Sequence, residues 1–352
     1  MQIPSELDRL ERNIQSLPIT TLSRMLRTVR EGQQLLACSD PSHASALDQL
    51  HSRLWRLHAR VRKAQLQSSN RESVSSTSPI RLLALGDSIT DGGAKLRSYR
   101  YHLHGILQRH GHGSTHWLGT MHGVFDKQLG RNASAGVLLR GPQHADWPTN
   151  SQVHEGHWGW TSRQLLRGHE RQPQRGSLHR WLKRYGADAR PDVTLLHIGT
   201  NDLTKLVLKK DGPREPPAAT ARRVQTMMQR LCAANPKMHV LVAAPPIPYC
   251  RAPRHPPAER SAQIARRRQV EDEYAKHLLP LCDARARARR RNGPNRAKVK
   301  LPCDDARVAC VNMSAAVGCE HLVADGVHPA AAGARRMAAA WWRVLQPRLS
   351  VT

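Results

Sequence analysis

Phenylalanine occurs once in the 352 residues, and 27 acidic side chains face 55 basic ones. No continuous apolar stretch is long enough for a membrane span or resembles a signal peptide. Met1 to Leu22 instead carries Glu6, Asp8, Glu11 and several arginines, so an intracellular chain is the default expectation. The shortage of acid leaves a formal charge of +28 and a pI near 11.1, which point toward nucleic acid, an anionic polymer or a membrane surface. Arginine outnumbers lysine 44 to 11, alanine is abundant and phenylalanine nearly absent. That combination is the mark of a genomic base-composition bias, so the charge alone names no partner. The densest basic run, Arg285 to Lys300 around Asn292-Gly293-Pro294, lacks a nucleic-acid motif and interleaved aromatics. No nucleic acid is therefore expected.

Seven cysteines include no Cys-x-x-Cys spacing, so Cys303, Cys310 and Cys319 near His321 read as buried thiols or disulfides rather than a metal cluster. Six of the seven (Cys232, Cys250, Cys282, Cys303, Cys310, Cys319) lie in the C-terminal half, where an oxidising compartment would let them pair and leave Cys38 over. This clue opposes the one from the N-terminus. No internal repeat is present.

Leu7, Leu10, Ile14 and Leu17 recur at helical spacing, as do Leu22, Met25, Leu26 and Val29, with Pro18 between the sets. Leu47, Leu50, Leu54, Leu57 and Val61 follow steps of three and four, the seam of a helix packed on partners. These patterns predict a helical appendage over 1–67, either lying on the main domain or serving oligomerisation. The polar, serine-rich stretch 68–79 reads as a linker to a domain over 80–352. There, short apolar runs at 80–85, 115–119, 193–198, 239–244 and 307–312 alternate with helical patterns near 97–110, 177–186, 217–234, 258–290 and 329–346. That alternation predicts an α/β domain with five parallel strands. Ligands of such sheets bind at the carboxyl ends of the strands.

Gly86-Asp87-Ser88-Ile89 and Gly199-Thr200-Asn201-Asp202 both stand at such ends, and Asp325-Gly326-Val327-His328 supplies an acid and an imidazole three residues apart. A serine hydroxyl needs a histidine to take its proton and a carboxylate to hold that histidine's tautomer. Ser88, His328 and Asp325 meet that need. Pro329 suits the first position of the next helix. An oxyanion hole is also required; the Ser88 N–H, the Asn201 amide and a glycine in His154-Glu155-Gly156-His157-Trp158-Gly159-Trp160 are the candidate donors.

GDSIT at 86–90, HEGHWGWT at 154–161, HIGTND at 197–202 and DGVHP at 325–329 together resemble the four blocks of the SGNH (GDSL-type) hydrolases, in order, over residues 79 to 348. The longer forms HEGHxGW and LLHIGTND, with Tyr99-Arg100-Tyr101, resemble the acetyl xylan esterases of the third carbohydrate-esterase family. The resemblance implies a flavodoxin-like three-layer α/β/α fold without a cofactor or metal, and a family that is commonly secreted. It implies Ser88 as nucleophile, His328 as base and acid, Asp325 as its orienter, and Ser88, Gly159 and Asn201 as the oxyanion hole. An acylated carbohydrate is the expected substrate, with Trp158 and Arg100 as candidate contacts. Trp158 departs from the family, where a small residue commonly stands.

Rival readings remain within and outside this class. Chymotrypsin-like proteases place histidine and aspartate before serine, and no Gly-x-Ser-x-Gly elbow of an α/β-hydrolase occurs. A zinc helix His-Glu-x-x-His would need histidine where Trp158 stands. A lipid esterase or thioesterase on the same fold is the nearest alternative. A polyanion-binding scaffold with a vestigial site is the alternative of another class. Trp160, Trp341 and Trp342 are expected in the core, and Trp147, like Trp158, is either core or sugar platform.

Overall fold

The computed structural model describes residues 79–93, 98–126, 131–133, 147–186, 190–208, 215–244, 246, 250, 257–282 and 307–349. The appendage expected over 1–67, the linker apart from Pro79, and the basic run 285–300 lie outside these residues. A division falls after Ser78, and the unit from Pro79 onward carries the α/β architecture.

Strand β1 (Arg81–Gly86) is an apolar run buried on both faces, as a central parallel strand must be. One edge pairs along Leu82–Gly86 with β7 (Val193–His197). The other edge is shared: β2 (His116–Leu118) pairs with Arg81–Leu83, and β6 (Val153–Gly156) with Leu85 and Gly86. Beyond β7 lie β8 (His239–Ala243) and β9 (Val308–Val311), all parallel. A two-residue strand, β3 (Met121–His122), runs antiparallel along β6. Apart from this sheet, β4 (Val124–Asp126) and β5 (Arg131–Ala133) form a ribbon.

All five expected strands are present, but the sheet has seven, because β6 and β3 join it. The sequence Val-His-Glu-Gly of β6 carries no apolar run, although His154 and Glu155 are fully buried. Period and hydropathy are blind to a strand whose buried side chains are polar.

Strand alternation divides the core into two layers. Leu83, Leu85, Leu196, Val240 and Val242 face helices α3 (Ser162–Arg167), α4 (Leu178–Tyr185), α6 (Pro217–Ala234) and α7 (Pro257–Cys282). Leu82, Ala84, Leu195, Leu241 and Ala243 face α2 (Tyr99–Arg109) and the C-terminal helix α9 (Ala331–Leu349). In α9, Met337, Trp341 and Leu345 recur at four-residue steps with no exposed surface, so one stripe of that helix supplies the layer. The short helices α1 (Ser88–Asp91), α5 (Thr200–Leu208) and α8 (Met313–Ala316) follow β1, β7 and β9 in turn. The order in which the chain adds strands switches sides between β1 and β7, and in such sheets a crevice opens at the carboxyl ends of the strands there.

Among the described residues, disulfides pair Cys250 with Cys319 and Cys282 with Cys310. The second ties the end of α7 to β9 across 28 residues. Replacing Cys282 and Cys310 together by serine is expected to lower stability by about 3–4 kcal/mol from loop-closure entropy. Urea unfolding of oxidised wild type against the variant checks this; equal midpoints would refute it.

Candidate active site

Ser88 lies two residues past the end of β1 and opens α1. Asp87 is the N-cap, accepting a 3.0 Å hydrogen bond from the Ile89 N–H. The turn is too tight for any side chain at the glycine before it. A Cβ on Gly86 would sit 2.2 Å from the His197 carbonyl oxygen and 2.3 Å from Thr90 Oγ1. Ser88, at the first helical position, has an N–H without an intrahelical acceptor, a donor suited to an anionic oxygen.

The Asp325–His328 turn reaches this serine from the far end of the chain. Asp325 Oδ1 accepts from the N–H groups of Val327 and His328 at 2.8 and 2.9 Å, while Oδ2 meets His328 Nδ1 at 2.7 Å. One carboxylate therefore builds the turn and orients the ring. Gly326 permits that turn by adopting φ +72°. The imidazole's other nitrogen, Nε2, lies 2.9 Å from Ser88 Oγ. Partial burial pushes Asp325 up, but the hydrogen bonds from His328 and Val327 outweigh it and hold the carboxyl below its ordinary value. It is thus the ionised form that faces Nδ1.

Gly159 and Asn201 occupy neighbouring turns. Gly159 has φ +76° and nothing within 4 Å of where a Cβ would stand, so its backbone borders open space. Asn201 opens α5 at the end of β7 and donates one amide hydrogen to the Trp160 carbonyl at 2.9 Å. Its second amide hydrogen is available for another acceptor. Asp202 fixes these turns together, accepting from the Ser162 N–H at 2.8 Å and Ser162 Oγ at 2.7 Å. A hydroxyl in reach of an imidazole whose far nitrogen meets a carboxylate is the arrangement that makes serine nucleophilic.

The model of the GDSL-like Lipase/Acylhydrolase family matches residues 84–336, which include all of these positions. The chain belongs to that family. It is an ester hydrolase. Among solved structures this hydrolase is similar to LAE5, an alpha/beta hydrolase enzyme from the metagenome of Lake Arreo, Spain, at 19% identity over 78% of this chain and 98% of that one, with a TM-score of 0.38. It is also similar to Axe2, an acetylxylan esterase from Geobacillus stearothermophilus, at 17% identity over 76% of this chain and 94% of that one, with a TM-score of 0.35. Likenesses at these TM-scores carry no argument about substrate. No curated protein matches the sequence.

One expected substrate contact of the hydrolase, Arg100, lies in the core. Arg100 has no exposed surface. Its guanidinium donates to the carbonyls of Thr90 (2.7 Å), Asp91 (2.8 Å), Gly123 (2.8 Å) and Gln152 (2.9 Å). It is a strut holding α1 against the neighbouring turns, and all that fork geometry is used inside the protein. Trp147 lies buried beneath it, 5.0 Å from the guanidinium, so it too is core rather than platform. Trp158 is half-buried, and its ring lies parallel to two others, His328 and Phe125. Trp160 and Trp341 are core, as expected.

A buried polar layer under the crevice escaped the sequence reading. Glu155 accepts from the Thr120 N–H and hydroxyl, Tyr185 and His157. His154 accepts the Gly156 N–H at Nδ1 and donates from Nε2 to the Gly123 carbonyl, a set of partners that assigns its neutral tautomer. Burial, reinforced by the charge of Arg100, pushes His154 well down. His197, wholly buried, is pushed down to about 4 and is no rival base to His328. The HEGH block of the sequence signalled these residues, but their role here is to satisfy one another and support the turns.

Burial pushes Asp87 up from 3.8 to about 7 against the hydrogen bond from Ile89, and the charge of Asp202 adds to the rise. A folded-state value above the unfolded one means that the native protein retains a proton the unfolded chain has lost. Asp87's stability contribution is then full below pH 3.8 and lost as pH rises through about 7. Asp87→Asn keeps an acceptor for Ile89 but does not titrate. Its stability relative to wild type is expected to increase between about pH 4 and pH 7, by up to about 1.4 kcal/mol per unit, as followed by urea unfolding. A difference independent of pH would rule this out.

Proposed function

We propose that the protein is a serine esterase that removes O-acyl groups, acetyl foremost, from carbohydrates through an acyl-enzyme. The observation that carries the reading is the line Asp325 Oδ2, His328 Nδ1, His328 Nε2, Ser88 Oγ, with spacings of 2.7 and 2.9 Å. In this reading Ser88 Oγ attacks the ester carbonyl as its proton passes to His328 Nε2. The oxyanion that forms is held by the N–H groups of Ser88 and Gly159 and by the Asn201 amide. Collapse breaks the C–O bond to the sugar, whose alkoxide takes the proton from Nε2. Water, deprotonated by the same nitrogen, then attacks the acyl-enzyme carbonyl; collapse breaks the C–O bond to Ser88, whose Oγ takes the proton back from Nε2, and acetate leaves. All three groups assigned to catalysis and the three donors belong to the protein, and the sequence implies no cofactor.

The acetylated carbohydrate is supported by the long motif forms HEGHxGW and LLHIGTND rather than by Arg100, which is consumed internally.

Ser88→Ala is expected to reduce hydrolysis of 4-nitrophenyl acetate to background, a loss on the order of 10⁶ in kcat, while the fold persists by circular dichroism. Asn201→Ala should cost on the order of 10² to 10³ in kcat. Across acetyl, butyryl and octanoyl esters of one alcohol, kcat/KM should fall steeply with chain length. A maximum at octanoyl would instead favour a lipid esterase.

A further inference from the structure

Two hydrogen bonds do not fully fix the His328 ring. Asp325 holds Nδ1 and Ser88 meets Nε2, so the line through these nitrogens is set. Tilt of the ring about that line is left unconstrained by either bond. The Trp158 indole supplies the missing restraint: its ring lies 4.8 Å from the imidazole, centroid to centroid, with an interplanar angle of 16°. The indole is itself held. Phe125, the chain's single phenylalanine, stacks on it at 4.9 Å and 28°. Phe125 is pinned to the nucleophile's own turn by a bridge to Gly93 and a 3.1 Å hydrogen bond from its N–H to the Gly92 carbonyl. Gly93 borders the stack, since a Cβ there would lie in ordinary van der Waals contact, 3.7 Å from the indole's Cζ3 and Cη2.

We propose that Trp158, backed by Phe125, is a positioning residue for His328: it fixes the plane of the imidazole and stabilises the imidazolium formed when Ser88 attacks. The physical basis is twofold. A parallel aromatic face resists tilting through close contact over its whole area. The same face attracts a cation, and tryptophan does so more strongly than any other side chain. Neutral imidazole gains less from that attraction than imidazolium, so the benefit grows along the reaction coordinate, which is where a contribution raises kcat. The arrangement also changes how Trp158 is to be read. With its ring engaged by His328 and Phe125, it acts on the substrate through the histidine rather than as a sugar platform.

The inference rests on His328 as the general base of the proposed function, and its test separates the two. Steady-state hydrolysis of 4-nitrophenyl acetate is compared for wild type, Ser88→Ala, Trp158→Phe, Trp158→Leu and Phe125→Leu. Activity surviving in Ser88→Ala would remove the catalytic reading itself. With that variant silent, Trp158→Phe, which keeps an aromatic face, should retain kcat within about threefold. Trp158→Leu, which fills space without one, should lose about tenfold in kcat with KM changed less than about twofold. Equal kcat for the phenylalanine and leucine variants, or a loss confined to KM, would overturn the proposal. Phe125→Leu leaves Trp158 in place and touches no reacting group; a kcat loss of about threefold supports the backing role, and an unchanged kcat overturns it. Proton NMR gives a readout independent of turnover and of the leucine variant's stability. Stacking requires upfield ring-current shifts of the His328 ring protons in wild type and in Trp158→Phe. Unshifted His328 protons in wild type would overturn the stack directly.

Discussion

Ser88 and His328 are 240 positions apart in the chain and 2.9 Å apart in space. Closing so long a loop costs entropy that the contact itself cannot offset, since one such hydrogen bond is worth about 1 kcal/mol net. The sheet meets that cost. It brings β1 and β7 side by side with their carboxyl ends aligned, while α9 packs its apolar stripe against α2 and delivers the residues before it to the same crevice. The Ser88–His328 contact is thus a by-product of core burial and adds little to stability.

Under the crevice, the protein carries an unusual load of buried polar groups. Arg100 satisfies four backbone carbonyls outside the regular sheet, and Glu155 satisfies four donors from three other residues. Turns at the strand ends cannot also complete ladder hydrogen bonds, so buried side chains take the place of the ladder. Asp87 shows the limit of this device. It caps α1, yet its second oxygen has no hydrogen-bond partner, and burial without full compensation raises its affinity for a proton.

The loop that carries Asp325 and His328 is secured more than once. Cys319 is bonded to Cys250, whose N–H donates to the Gly326 carbonyl at 2.6 Å, and the Val323 N–H closes on the His328 carbonyl at 2.9 Å. A loop holding a general base benefits from such redundancy, because a shift of an ångström there costs more in rate than in stability.

The order of four motif blocks, the five apolar strands and the longer crossover helices are legible in the chain alone. Each rests on local chemistry: period, turn residues, or a serine, histidine and carboxylate in a spacing that only their reaction needs. What the chain alone misplaced shares one cause. The strand at His154 and Glu155 was hidden because its buried residues are polar, and Arg100 passed for a substrate contact because arginine is ordinarily exposed. The ring partners of Trp158 lie 33 residues before it and 170 after it, so its setting too is invisible to a local pattern. Whether a polar or aromatic side chain serves substrate, core or another catalytic group depends on which distant residues reach it, and that is a property of tertiary packing, which no local pattern encodes.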